Sequence, residues 1–223
     1  MSGLFISFEG GDGAGKSTQV ERLAAALRGQ GYDVRVTREP GGTELGAQIR
    51  QALLHGGDVA PRAEALLFAA DRAHHVASLV RPALAAGAIV VTDRYLDSSV
   101  AYQGAARSLG AQEVRDLSLW AVEGLLPKLT VLLDVPVEAG SERVGEDRDR
   151  LESAGDDFHA RVRAEFLALA DAEPSRFLVL NARDSRDAIE ARIFEAVAPL
   201  LADADLSRSS AGSESGDPAE ATK

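Results

Sequence analysis

The chain has 223 residues, 45% hydrophobic and 26% charged, with a formal net charge of −11. Such proportions describe a globular chain with one sizeable core, and the negative sign excludes nonspecific attraction to DNA, RNA or anionic lipid. With no cysteine there is neither a disulfide framework nor a thiolate metal site.

The first predicted element is a buried strand over 4–8, an apolar run that lacks a basic leader and is too short for a signal peptide or a membrane span. A cytoplasmic protein is therefore expected. A glycine-rich turn follows and opens a helix over 16–28, which Gly29 and Gly31 stop. Further strands are expected at 33–37, 89–93, 130–134 and 177–180. Between them, amphipathic patterns predict helices at 43–54, 62–86, 111–121, 157–172 and 185–201. Strands that alternate with helices need right-handed crossovers, and near-continuous apolar strands have no solvated face. The expectation is a doubly wound α/β domain over 1–204 with helices on both faces of a parallel sheet. Two stretches differ. Residues 138–157 are crowded with charge of both signs and contain Gly140, Gly145 and Gly155, which predicts a mobile excursion. From 205 to 223 Ser, Gly, Asp, Glu and Pro leave almost nothing to bury, which predicts a disordered acidic tail.

Gly10, Gly11, Asp12, Gly13, Ala14, Gly15, Lys16 and Ser17 satisfy G-x-x-x-x-G-K-[ST] directly after a strand and at the start of a helix. The residue types follow from the chemistry. Glycines let successive backbone N–H groups converge on phosphate oxygens at a helix N-terminus, whose dipole favours anions. Lys16 adds a compact charge for the β- and γ-phosphates, and Ser17 offers a hydroxyl to Mg²⁺. Composition alone would produce the pattern about once in a hundred chains of this length, so the strand–loop–helix setting carries the assignment. An N-K-x-D guanine motif is absent, which argues against a GTPase.

Other residues point to a phosphorylated acceptor. Arg38 opens the loop REPGGT after the second strand, and Asp93, Arg94 and Tyr95 end the third; both ends face the crevice beyond the sheet's carboxyl edge. Asp93 can act on Mg²⁺, and Arg94 offers phosphate a forked donor. Phe68 and Arg72 stand four apart on one helix face, an aromatic to stack on a base and a guanidinium to read it. Taken singly, Arg38 and Arg94 also fit surface ion pairs, Phe68 fits a core position, and Asp71–Arg72 fits a solvated helix pair. His55, His74, His75 and His159 show no metal-ligand spacing and read as surface or packing residues; Trp120 reads as core or a dimer contact.

The segments EGGDGAGKST, REPGGT, LLFAADRAHH, DRYLDSSVAYQGAAR and LLPKLTVLLDVP resemble bacterial thymidylate kinases over about 4–202. The resemblance implies the P-loop nucleoside monophosphate kinase fold, a five-stranded parallel sheet with a short mobile lid, and a homodimer. It implies transfer of the γ-phosphoryl of ATP to dTMP with Mg²⁺, the metal held by Ser17 and Asp93. Residues 10–18, including Thr18, would bind ATP, and Asp12 would lie near the acceptor's deoxyribose. Arg38, Arg50 and Arg94 would take the acceptor phosphate. Phe68 would stack on thymine, Arg72 would hydrogen-bond it, Ser98, Ser99 and Gln103 would lie at the base site, and Tyr102 would occupy the space of a ribose 2′-OH. Residues 138–157 would be the lid. Gly13 stands where some members carry an Arg, so a lid residue would supply that charge: Arg143, Arg148 or Arg150, with Asp149-Arg150-Leu151-Glu152 the best match. Two alternatives stay open, a kinase for another nucleotide or a deoxynucleoside, and a non-catalytic nucleotide switch.

Overall fold

The computed structural model describes residues 3–141, 149–204 and 206–207. Strand β1 (Leu4–Glu9) is buried along its whole length because it lies between β3 (Ile89–Asp93) and β4 (Leu129–Asp134). Ile6 pairs with Val91 on one side and Leu129 on the other. β2 (Val34–Arg38) and β5 (Phe177–Asn181) complete an all-parallel sheet of order β2-β3-β1-β4-β5. Alternate residues of β1 enter opposite core layers. Phe5 joins Phe68, Tyr95, Phe158 and Phe166 on one face, whereas Ile6 and Phe8 join Leu23, Leu27, Ile189 and Ile193 on the other.

The helices follow the expected crossovers. They are α1 (Lys16–Gly29), α2 (Glu44–His55), α3 (Pro61–His75), α4 (Arg81–Ala85), α5 (Leu96–Ser99), α6 (Ala111–Ala121), α7 (Val137–Ser141), α8 (Asp156–Ala172) and α9 (Arg186–Asp203). Thr43 caps α2 by accepting a hydrogen bond from Gly46 N. The helix expected over 62–86 is interrupted by a π-helical stretch, Val76–Val80, between α3 and α4. Pro82 lacks the N–H that would bond back to Ser78, so the ladder changes register just before it. A second π-helical stretch, Val100–Ala106, continues α5. Sequence reading missed α5 and this stretch because nearly every residue from Leu96 to Ala106 is buried, and a segment buried all round has no amphipathic stripe.

Within the predicted excursion, 137–141 is helical and 149–155 packs against the domain; 142–148, with Arg143 and Arg148, lies outside the described residues. Of the predicted tail, Leu206 packs on the second core layer, and Ser207 bonds through its backbone to Asp33 and Gly87. Residues 208–223 lie outside the described residues.

One buried ion pair fixes α5 beneath the sheet. Arg176, just before β5, grips Asp97 with two bonds of 2.7 and 2.9 Å and also donates to Thr130 and Glu173. Asp97 is fully buried. Arg176→Met would strand that carboxylate, and urea denaturation at neutral pH is expected to show a loss of about 3–5 kcal/mol.

Candidate active site

The loop after β1 turns at Gly10, whose φ of 132° suits glycine and where a Cβ would sit 2.4 Å from Leu133 O. Lys16, at the start of α1, folds back so that Nζ donates to Gly10 O at 3.0 Å and Gly11 O at 2.8 Å. Burial, with Arg94 nearby, pushes its ammonium down to about 8 against the pull of Asp12, Asp93 and Glu9. Ser17 Oγ donates to Asp93 Oδ2 at 2.9 Å. A hydroxyl and a carboxylate side by side are hard oxygen donors suited to a Mg²⁺ that is otherwise held by nucleotide phosphates and water. Among the described residues no cluster of three or more His, Cys, Asp or Glu offers an alternative metal site.

Arg94, immediately after β3, is held at φ 69°, a strained backbone for a non-glycine residue. The strain aims its guanidinium at the phosphate loop. Nη1 donates to Gly10 O (3.1 Å) and Ser98 Oγ (3.0 Å), while Nη2 donates to Asp12 Oδ1 (2.5 Å) and Tyr102 Oη (3.2 Å). Tyr102 in turn donates to Asp12 Oδ2 at 3.0 Å. Burial would raise the Asp12 carboxyl, but Arg94, Lys16 and the Tyr102 hydroxyl outweigh it and hold Asp12 at about 2. Beneath lies Glu9, fully buried, accepting from Tyr95 N and Ser98 Oγ. Burial and the nearby Asp97 push its carboxyl up to about 8. Sequence reading ended the strand at Phe8 and gave Glu9 no role.

Two adjoining cavities meet at Asp12, Glu39, Arg50, Arg94 and Glu152. The larger, about 860 Å³, runs along the phosphate loop past Arg38 and Asp93 to Ala182, Arg186 and Ile189. Gln19 reaches this far end, donating to Arg186 O at 3.0 Å. These far-end residues carry no motif, and only the apposition of α1 with the start of α9 brings them together. Arg50 faces the junction, and Arg38 lines the larger cavity beside it. Arg50 donates to Pro40 O, and both burial and repulsion from Arg38 lower its basicity. Neither makes an ion pair among the described residues, the condition expected of guanidiniums that wait for an anion.

The smaller cavity, about 120 Å³, is walled by Phe68, Arg72, Ser98, Ser99, Tyr102 and Gln103. All the expected acceptor-base residues thus come together. Arg72, only 2% exposed, is more committed than expected: it donates to Glu39 (2.6 Å), Ser99 Oγ (3.0 Å) and Tyr95 O (3.3 Å). Glu39 also pairs with His75, whose other ring nitrogen bonds Thr37 Oγ1 at 2.7 Å. His75 is therefore a packing residue, one of the two readings its spacing left, and it helps hold Arg72 in place through Glu39.

Arg150 departs from expectation. Expected to serve the transferred phosphoryl, it instead donates from Nε to Leu53 O (3.0 Å) and places Nη2 2.6 Å from Glu64 Oε2, on the acceptor side. Glu64 is wholly buried, and the guanidinium turns to this carboxylate. Trp120 is 80% exposed, which removes the core alternative.

A family model described as thymidylate kinase matches residues 8–193. The chain belongs to the thymidylate kinase family. Similarity extends across whole proteins. A thymidylate kinase of Clavibacter michiganensis subsp. michiganensis is 59% identical over 206 residues, covering 91% of this chain and 98% of that one. One of Leifsonia xyli subsp. xyli is 63% identical over 195 residues, covering 86% and 92%. The crystal structure of thymidylate kinase from Ehrlichia chaffeensis superposes with a TM-score of 0.73 at 29% identity, over 88% of this chain and 99% of that one. In this thymidylate kinase family member the five-stranded P-loop kinase sheet is as expected.

Proposed function

We propose that the protein transfers the γ-phosphoryl of ATP to dTMP, releasing ADP and dTDP. The observation that carries this reading is the meeting of two cavities, one along a phosphate loop and one lined for a base, at a shared wall of Asp12, Arg50 and Arg94. The acceptor phosphate is already an anionic nucleophile, so alignment and positive charge do most of the work. Backbone N–H groups of residues 10–18 and Lys16 hold the donor's phosphates. Arg38, Arg50 and Arg94 take the acceptor phosphate, and Asp12 fixes Arg94 and Tyr102 from within the loop. Ser17 and Asp93 are the residues to hold Mg²⁺, which would neutralise charge on the β- and γ-phosphates. In the smaller cavity Phe68 stacks on the base. Arg72, Ser98, Ser99 and Gln103 read it, and Tyr102 excludes a 2′-OH.

ADP release with ATP and Mg²⁺ across dTMP, dUMP, UMP, CMP and AMP tests the reading; faster turnover of any other acceptor than of dTMP overturns it. Phe68→Ala is expected to raise KM for dTMP by about tenfold to a hundredfold, the scale of one lost base–aromatic stack, with KM for ATP unchanged. Steady-state kinetics with each substrate varied checks it.

We assign catalysis to residues 1–204 and a cytoplasmic setting to the protein; no helix among the described residues is long and apolar enough to cross a membrane. We also assign a homodimer. Trp120 on α6 and Leu66 on the neighbouring α3 offer exposed apolar surface for it.

A further inference from the structure

We propose that Glu64 is a positioning residue for the acceptor site, and that its pairing with Arg150 clamps residues 149–152 as one wall of the base cavity. The inference rests on the reading that the smaller cavity takes the acceptor. Asp149, Leu151 and Glu152 line that cavity opposite Phe68 and Arg72. Their turn is closed internally by Asp149 Oδ1, which accepts from Leu151 N at 2.8 Å and Glu152 N at 2.9 Å. What ties the turn to the domain is Arg150. Its backbone N donates to Leu54 O, its Nε to Leu53 O at the end of α2, and its Nη2 meets Glu64. Leu151 adds apolar contact, buried in the same core layer as Leu54, Phe68 and Phe158.

Glu64 joins more than one wall. It lies one turn before Phe68 on α3, so its carboxylate and the base platform share a helix face. Oε1 also accepts from Gln103 Nε2 at 2.8 Å. A carboxylate can only accept there, so Gln103 must present its NH₂ to Glu64 and keep its carbonyl oxygen for a ligand in the cavity it lines. Arg107, stacked over the Phe158 ring, faces Glu64 from the remaining side. One buried carboxylate thus sets the spacing of the Phe68 platform, the Gln103 amide and the 149–152 turn. Of the turn, Glu152 alone also borders the larger cavity, and none of these contacts reaches the phosphate loop, so loosening the clamp should be felt chiefly by the acceptor.

The test is steady-state kinetics of Arg150→Met, Glu64→Gln and the double variant, with dTMP and ATP varied separately. Each single variant is expected to raise KM for dTMP about tenfold, with kcat and KM for ATP within about twofold of wild type. The double variant should cost clearly less than the two single changes added together, because both break one shared contact. Arg150→Met leaves Glu64 with Gln103 and Arg107, so it decides the matter even if Glu64→Gln folds poorly. A fall in kcat of about a hundredfold in Arg150→Met with KM for dTMP unchanged would return Arg150 to the transferred phosphoryl and overturn the proposal. Additive losses in the double variant would overturn it as well. Wild-type preference for another monophosphate in the same assay would instead overturn the acceptor assignment beneath it.

Discussion

Replacing Lys16 with alanine is expected to leave a folded protein whose turnover of dTMP falls by about 10²–10³, the cost of removing one preorganised charge from a phosphoryl-transfer site. Lys16 is 7% exposed, and its Nζ donates to Gly10 O and Gly11 O. Among the described residues no carboxylate pairs with it directly, so its charge remains available to the incoming phosphates. The same burial gives a pH signature. In the folded, nucleotide-free protein the ammonium gives up its proton at about 8, below the ordinary lysine value of 10.5. Between those values the unfolded chain binds more protons, so stability rises with pH across this window, and the alanine variant should lose that rise. ATP binding runs the other way: KM for ATP should climb as pH passes 8 in the wild type. ADP release at saturating substrates, with urea midpoints at neutral and alkaline pH, measures both. A variant retaining more than about a tenth of wild-type turnover would refute the role of Lys16.

Arg94→Lys is the second large effect expected, a fall of about 10²–10³ in kcat/KM for dTMP despite the retained charge. Its two terminal nitrogens make four bonds, to Gly10 O, Ser98 Oγ, Asp12 and Tyr102. A single ammonium cannot span that set. Asp12 would feel the change too, since Arg94 is the foremost group opposing the effect of burial on its carboxyl. With the fork gone its pKa should rise from about 2, moving the acid limb of the rate profile to higher pH. Unchanged kcat/KM for dTMP, or an unmoved acid limb, would show that Arg94 is not the link between loop and acceptor.

The parts of the protein legible in its sequence are those whose cause is local. Apolar runs of strand length, the crossovers between them and the glycine loop opening α1 each follow from a few adjacent residues, and they appear where expected except that a π-helical stretch interrupts the helix over 62–86. The positions of Arg38, Asp93 and Arg94 at the carboxyl ends of β2 and β3 follow from the same alternation, because a parallel sheet opens its crevice there. The buried stretch Leu96–Ala106 gave no such signal, since full burial erases periodicity. Which carboxylate each arginine would find was also beyond local reading. Arg150 meets Glu64, Arg72 meets Glu39 33 residues away, and Arg176 meets Asp97 79 residues away. A guanidinium is drawn to any carboxylate, and a charged stretch reads alike whether it will be solvated or clamped. Only the closing of the chain decides which partners lie within 3 Å and out of water, and there the Coulomb attraction is no longer screened away.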